Sequence, residues 1–568
     1  MDFQIVKALL FVLVLGACRA AWSQNCNSLP PASDFTVEEI ARPQGWAYDM
    51  AVDEDNKVYW VERFGAFKVW DPVSRKAQLI KQFDVLAENG VPGYYGNVEA
   101  GLQGLLLDPA FASNHWIYLW YSVPASKLEP ISPHALVGIE RLSRFTLAAN
   151  NTLVEEGSER IIFEQKVFAQ CCHHGGALKW GPDGSLYLST GDNIHYQYTG
   201  GEGSSVPYDE NYVYGDPRGT SANTADTRGK ILRLRPIPFP DAQTPKPGPG
   251  STYEIPPGNL WETWASPEAD KVRKEIFTMG HRNPFSIAVN RENGWVAVGE
   301  ASGDNAQYGE DEINLATRPG FFGWPYLLGN NAPYIPPFWT GKFDPAKSAQ
   351  AIGNDSRFNT GAQVLPPAVP ALLSTRTTTP KMPMQCFGVT WGWVDYDSAS
   401  PSKAKWPPYL AGKLLVSSYG AAELRVATLD GQGKVANLET LFPASPHTTD
   451  ILRAVQGPDG AFYVSRGDGI QFGTSSVTRI YRISYKGACS QVGVGPSARR
   501  PARLPGRVVN LGSTSIPLPP GTRVEAFDMR GSRRWEARAV PGGGAGSGRV
   551  ALPGGLPRGM LHLRYTRD

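Results

Sequence analysis

The chain has 568 residues, including 61 Gly and 48 Pro, with 19% charged residues, 11% aromatic residues and a net charge of +2. Close to one residue in five is Gly or Pro, against about 12% in average usage, which excludes a mostly helical protein; the aromatic content excludes disorder, and Gly without a period of three excludes collagen. The near-neutral charge gives no reason to invoke nucleic acid or an anionic membrane as partner.

The first element is an export signal. Lys7 precedes an apolar run over residues 8–17, too short to span a bilayer. Ala-Cys-Arg-Ala at 17–20 is a small-x-small cleavage site, so residues 1–20 read as a signal peptide and the protein as secreted, periplasmic or at the bacterial cell surface. Leu-Gly-Ala-Cys at 15–18 also reads as a lipobox; a membrane is a partner only in that reading, with Cys18 lipidated. Five cysteines follow: Cys26, Cys171, Cys172, Cys386 and Cys489. The odd number leaves at least one thiol over in an oxidising compartment. Cys26 and Cys489 bracket the central region, and a bridge between them would pin its ends. Cys171 and Cys172 are adjacent, and read either as a strained vicinal disulfide or as two packed thiols.

From about residue 40 to 485 one unit recurs: an apolar strand, a Pro-Asp-Gly or similar turn, then an alternating strand. Cases fall at 50–60, 105–120, 178–188, 287–297, 389–416 and 455–464. Further strands follow some of them, as at 230–234 and 479–483. Pro presets φ for such a turn and Gly accepts positive φ. Six four-stranded units at about 75 residues each predict an all-β, six-bladed β-propeller over 27–487, with two separate sandwiches as the alternative.

Histidine and carboxylate chemistry concentrates between 171 and 314. His173-His174-Gly175-Gly176 precedes the third unit and Gly191-Asp192 follows it. Histidine titrates near neutrality and serves as a general base, glycines let backbone approach a ligand, and Asp192 is placed to orient an imidazole or a substrate hydroxyl. Gly280-His281-Arg282-Asn283-Pro284 opens the fourth unit with a charged fork and a neutral amide. Carboxylates among glycines at 299–304 and 309–314 suit Ca²⁺, which takes 6–8 oxygen ligands, or make a solvated acidic loop.

The tail differs. Residues 488–506 read as a linker, and 507–568 hold alternating strands split by Gly-rich turns, which predicts a small β-sandwich. The segments Phe-Asp-Met-Arg-Gly at 527–531 and Leu-Pro-Arg-Gly-Met-Leu-His-Leu-Arg at 556–564 resemble sorting domains of the type IX secretion system; a generic adhesion sandwich is the alternative.

Several motifs together resemble the glucose/sorbosone dehydrogenase family, soluble six-bladed propellers that use pyrroloquinoline quinone (PQQ). They are Glu-Ala-Gly-Leu-Gln-Gly at 99–104, Cys-Cys-His-His-Gly-Gly at 171–176 running through to Asp192, Gly-His-Arg-Asn-Pro at 280–284, and Asp-Glu-Ile-Asn at 311–314 followed by Phe-Gly-Trp-Pro at 322–325. The resemblance implies an oxidoreductase acting on a sugar or alcohol, with an external electron acceptor. It implies His173 as the base, counted back five from Leu178, with Asp192 and Glu99 beside it. Arg282 would steady the quinone oxygens and Asn283 would hold the cofactor. Carbonyls at Ser302 and Gly303 would hold the cofactor's Ca²⁺, and Asp311 and Glu312 a second, structural Ca²⁺.

Two departures bear on PQQ. Where the family's glucose oxidisers carry a Lys, this chain has Ser418-Tyr419-Gly420, and of their two Arg before the sixth repeat only Arg453 remains, out of register. A tricarboxylate needs compensating cations, and Arg425 and Lys413 are the nearby candidates. The alternative function is a catalytically inactive propeller that binds glycan or protein.

Overall fold

The computed structural model describes residues 26–491 apart from 88–98, 133–134, 169–171, 195–214, 240–244, 304–308, 335–351, 375–387, 444, 446 and 468–477; beyond 491 it describes six strands. The chain divides into two compact units, Met1–Val492 and Gly493–Asp568. The signal segment, Cys18, Cys171 and Cys386 lie outside the described residues.

The larger unit is a six-bladed propeller. Blade 1 runs Ala47–Val52, Val58–Glu62, Ala66–Asp71 and Lys76–Gln82 from axis to rim. Blade 2 runs Leu102–Leu107, Trp116–Ser122, Ala135–Thr146 and Arg160–Phe168. Blade 3 runs Leu178–Trp180, Leu186–Thr190, Lys230–Pro236 and Ile276–Met279. Blade 4 runs Asn283–Val289, Val296–Ala301, Glu312–Ala316 and Leu373–Ser374. Blade 5 runs Gly388–Trp393, Leu414–Ser418, Leu424–Leu429 and Val435–Phe442. Blade 6 takes Ile451–Gln456, Phe462–Arg466 and Arg479–Tyr485 from its own stretch, and Phe35–Ala41 from the start of the chain closes it. The six predicted strand–turn–strand units are the first two strands of the six blades.

Strand periodicity explains the packing. Consecutive side chains of a strand point to opposite faces, and both faces of each blade meet another blade. Tyr59 enters the layer between blades 1 and 2, while Trp60 enters the layer between blades 6 and 1. Leu119 and Trp120 divide in the same way between the 1/2 and 2/3 layers, as do Ala297 and Val298 between the 4/5 and 3/4 layers. That is why the second strands read as unbroken apolar runs.

Two devices close the ring. One is the pairing of Phe35–Ala41 with Arg479–Tyr485. The other is the Cys26–Cys489 disulfide, which spans 463 residues of sequence. Cys489 is buried in the core with Phe35 and Tyr485, within the short turn Ala488–Gln491. That turn falls in the larger unit, to which the disulfide ties it.

Five of the six axial strands carry an irregularity in register, four at their first residues, at Ala47/Asp49, Leu102/Gly104, Asn283/Ser286 and Ile451/Arg453, and one in mid-strand, at Thr390/Gly392. Such bulges bend a strand and re-aim its side chains. The four at first residues ring one end of the propeller. The second unit holds two three-stranded antiparallel sheets. Among the described residues no helix is long and apolar enough to cross a membrane.

Candidate functional site

The site lies at the bulged end of the ring, at the entry to blades 2, 3 and 4. His173 sits just before blade 3 with φ of 61°, in the left-handed region. Its carbonyl lies across Gly191, where a Cβ would come within 2.0 Å of that oxygen. Gly175, at φ 66°, follows it and leaves no room for a side chain against the Ser189 carbonyl. These glycines let the 173–176 loop lie flat on the end of Leu186–Thr190, which brings His173 opposite Asp192.

His173 Nδ1 is 2.7 Å from Asp192 Oδ1, with His173 7% and Asp192 0% exposed. The second Asp192 oxygen accepts the Trp324 indole N–H at 2.8 Å, and Oδ1 also accepts the Ile194 N–H at 3.0 Å. Asp192 donates its own N–H to the Arg282 carbonyl at 2.7 Å. A carboxylate on Nδ1 takes that N–H and leaves Nε2 with the lone pair. His174 turns the other way and meets Glu140 of blade 2 through Nδ1 at 2.5 Å.

Glu99 pins the loop from below. Its Oε2 accepts the His173 N–H at 2.9 Å and the Asn283 amide at 3.1 Å. Asn283 in turn accepts the Gly175 N–H at 3.2 Å. Both ends of the Asn283 amide are thus engaged in shaping the loop. Arg282 is buried beside them; its guanidinium lies 5.7 Å from the Trp324 ring and reaches the Ala301 carbonyl at 3.5 Å. His281 is held between Glu300 at 2.8 Å and Thr278 at 2.9 Å, and stacks on Phe322.

The residues expected to hold Ca²⁺ lie at 302–303 and 311–312, on either side of the blade 4 turn. The Ser302 N–H donates to Asp311 Oδ1 at 3.2 Å, and the Ser302 hydroxyl donates to Glu300. A Cβ on Gly303 would meet the Tyr334 ring. Glu312 is 1% exposed and faces inward, accepting the Gly329 N–H on one oxygen and the Asn314 amide at 3.1 Å on the other. Burial pushes its carboxyl well above the usual range, and Glu300 and Glu310 push it further. Among the described residues no group of three or more His, Cys, Asp or Glu is arranged for a metal.

For a tricarboxylate cofactor the cations decide. Arg425 pairs with Glu423 and Lys413 with Glu439, so neither of the two substitutes is available. Arg453 is different. It is 3% exposed, packs 4.1 Å over Phe285, and has Nε and Nη2 without a hydrogen-bond partner among the described residues. A buried guanidinium with two orphaned donors fits a carboxylate. Cys172, beside the base, is disulfide-bonded.

Two contributions were not assigned from sequence. Trp324 stood in a quoted motif, but nothing local shows that its N–H reaches Asp192. Lys179, on the axial strand of blade 3, had as its only signal a charge inside an apolar run.

A family model described as Glucose / Sorbosone dehydrogenase matches residues 43–335. The chain is 25% identical over 281 residues to Quinoprotein glucose dehydrogenase B of Acinetobacter calcoaceticus, covering 48% of this chain and 49% of that protein. It is 24% identical over 238 residues to Aldose sugar dehydrogenase YliI of Escherichia coli, covering 42% and 49%. The chain thus spans about half the length of these curated relatives. A solved "glucose dehydrogenase" structure superposes with a TM-score of 0.50 at 19% identity, over 79% of this chain and 98% of that one, and shares the fold.

Proposed function

Because the chain belongs to the glucose/sorbosone dehydrogenase family, we propose that it is an exported quinoprotein oxidoreductase that oxidises a hydroxyl of a sugar or alcohol. The observation that carries this is the His173–Asp192–Trp324 arrangement, a base whose lone-pair nitrogen is set by a fully buried carboxylate. His173 takes the hydroxyl proton on Nε2, and Asp192 stabilises the imidazolium that results. Arg282 and Arg453 would hold the anionic cofactor, and Asn283 keeps Glu99 and the Gly175 backbone in register. Bound PQQ supplies the hydride acceptor, as the cofactor carries the redox chemistry while the protein orients and polarises. The electrons then pass to an acceptor outside the cytoplasm. Ca²⁺, which the carbonyls of Ser302 and Gly303 would hold beside the cofactor, is supplied in the assay.

The test uses the full chain with PQQ, with and without Ca²⁺, and a panel of aldoses and alcohols, following reduction of a dye. PQQ-dependent reduction is expected. Absence of both reduction and PQQ binding overturns the reading and leaves the inactive, ligand-binding propeller.

A further inference from the structure

We propose that the axis of the propeller contains an anion-binding site, for a carboxylate or an inorganic oxyanion, clamped between Arg453 and Lys179 from opposite blades. The axial strands meet in the order 1–2–3–4–5–6–1, so blades 3 and 6 face each other across the channel. Lys179 lies in the axial strand of blade 3 and Arg453 in that of blade 6. Burial lowers Lys179, opposed by Asp49, and Arg453 lowers it further; burial also lowers Arg453, opposed by Asp49 and Tyr48. Both cations stand on facing axial strands, and Asp49 of blade 1 is the carboxylate that both feel.

That carboxylate does not satisfy them. Asp49 accepts the Met50 N–H at 2.9 Å on Oδ1 and the Leu105 N–H at 3.2 Å on Oδ2. It approaches Arg453 Nε only to 3.8 Å, an ion pair without a hydrogen bond. Arg453 gives Nη1 to the Leu452 carbonyl at 2.9 Å, while Nε and Nη2 have no partner among the described residues. Phe285 stacks on the guanidinium and fixes its plane. Tyr48, 2% exposed, meets the Phe285 ring at 6.0 Å; its hydroxyl has no partner among the described residues and is raised by burial, with Arg63, Glu99 and Arg453 near it in that order.

What remains is a guanidinium and an ammonium, two positive charges against the single negative charge of Asp49. Buried donors of this kind are stable only with an acceptor, and a charged acceptor answers both the hydrogen bonds and the charge. Lys179 is only partly buried, so its ammonium adapts to the anion while Arg453 is preset. Two sources supply that chemistry, a carboxylate of a bound quinone cofactor or a free oxyanion. Only the first rests on the proposed function.

The test uses the full chain and two probes. Sulfate, at ionic strength matched with chloride, is followed by thermal unfolding and calorimetry; PQQ is followed by fluorescence quenching. Lys179→Gln is the main variant because its site is partly open and the fold should survive it; Arg453→Lys is the second. Sulfate is expected to raise Tm in the wild type, and Lys179→Gln to weaken sulfate binding about tenfold or more. If PQQ is the source, the same variant weakens PQQ by a similar factor. If PQQ fails to bind at all while sulfate binding still depends on Lys179, the function reading falls and this site stands with an inorganic occupant. Sulfate without effect on Tm, together with PQQ affinity unchanged in Lys179→Gln, overturns the proposal.

Discussion

His173 and Asp192, 19 residues apart in sequence, meet at 2.7 Å across a crossing that Gly191 alone permits. Changing Asp192 to Asn keeps the shape but offers Nδ1 an amide, which no longer enforces the tautomer with a free Nε2. Under the proposed function, Asp192→Asn and His173→Ala each lower kcat by roughly 10²–10⁴ with KM changing much less. Dye-coupled kinetics on PQQ-loaded protein measure this, and a kcat within a few-fold of wild type removes the pair from the chemistry.

Trp324 reaches Asp192 from 132 residues further along the chain. Trp324→Phe deletes the N–H while keeping most of the ring under Arg282. A buried carboxylate oxygen left short of a donor costs about 1–3 kcal/mol. Expected outcomes are a lower Tm and a kcat reduced about tenfold, since Trp324 acts by positioning Asp192. Unchanged Tm and kcat would show that the indole serves only as packing.

Legibility followed physics. Blade cores were readable because strands such as Val58–Glu62 and Leu186–Thr190 are buried on both faces and carry that in their composition. The rim was not: Val435–Phe442 is largely exposed along its first half, so its pattern is diluted. The 173–192 segment was readable as a site because both partners and the glycines that let them meet are local. Glu312 was read as a metal ligand from its setting among acids and glycines, which does not show its partners. An acid among glycines looks alike whether it faces a cation or accepts an N–H from Gly329. Lys179 was passed over because its partners lie on other blades.

Lys230 provides a pH test. Its ammonium donates to the carbonyls of Thr220, Ser221 and Arg228 at 2.6–2.9 Å and is fully buried. Burial pushes it down to about 7 from 10.5, with Asp226 opposing. Between those values the unfolded chain binds a proton that the folded chain does not. Stability from this group therefore rises with pH across that window, by at most about 1.4 kcal/mol per unit, and is lost as pH falls to 7. Lys230→Met is expected to be less stable throughout, with the gap to wild type widening from pH 7 to 10. Parallel melting curves would show that the ammonium keeps its charge on the three carbonyls.

Truncation after Gln491 retains Cys489 and every strand of the six blades. Such a chain is expected to melt within a few degrees of the full protein, because no blade loses a strand. A fall well beyond that would place part of the propeller's stability in the C-terminal unit.

The ring is closed twice, by Phe35–Ala41 on blade 6 and by the Cys26–Cys489 bond, and the two closures are partly redundant. A crosslink spanning 463 residues restricts the unfolded chain strongly, while Phe35–Ala41 pairs with Arg479–Tyr485 through its own backbone hydrogen bonds. Typical disulfides contribute about 2–4 kcal/mol. The double variant Cys26→Ala, Cys489→Ala is therefore expected to fold with a lower Tm and to unfold first at the blade 6 rim. Hydrogen exchange should show early loss of protection in Phe35–Ala41 and Arg479–Tyr485, with the other blades unchanged. Reductant should lower the wild-type Tm towards that of the variant. A variant that melts as the wild type does would assign closure to the strand pairing alone.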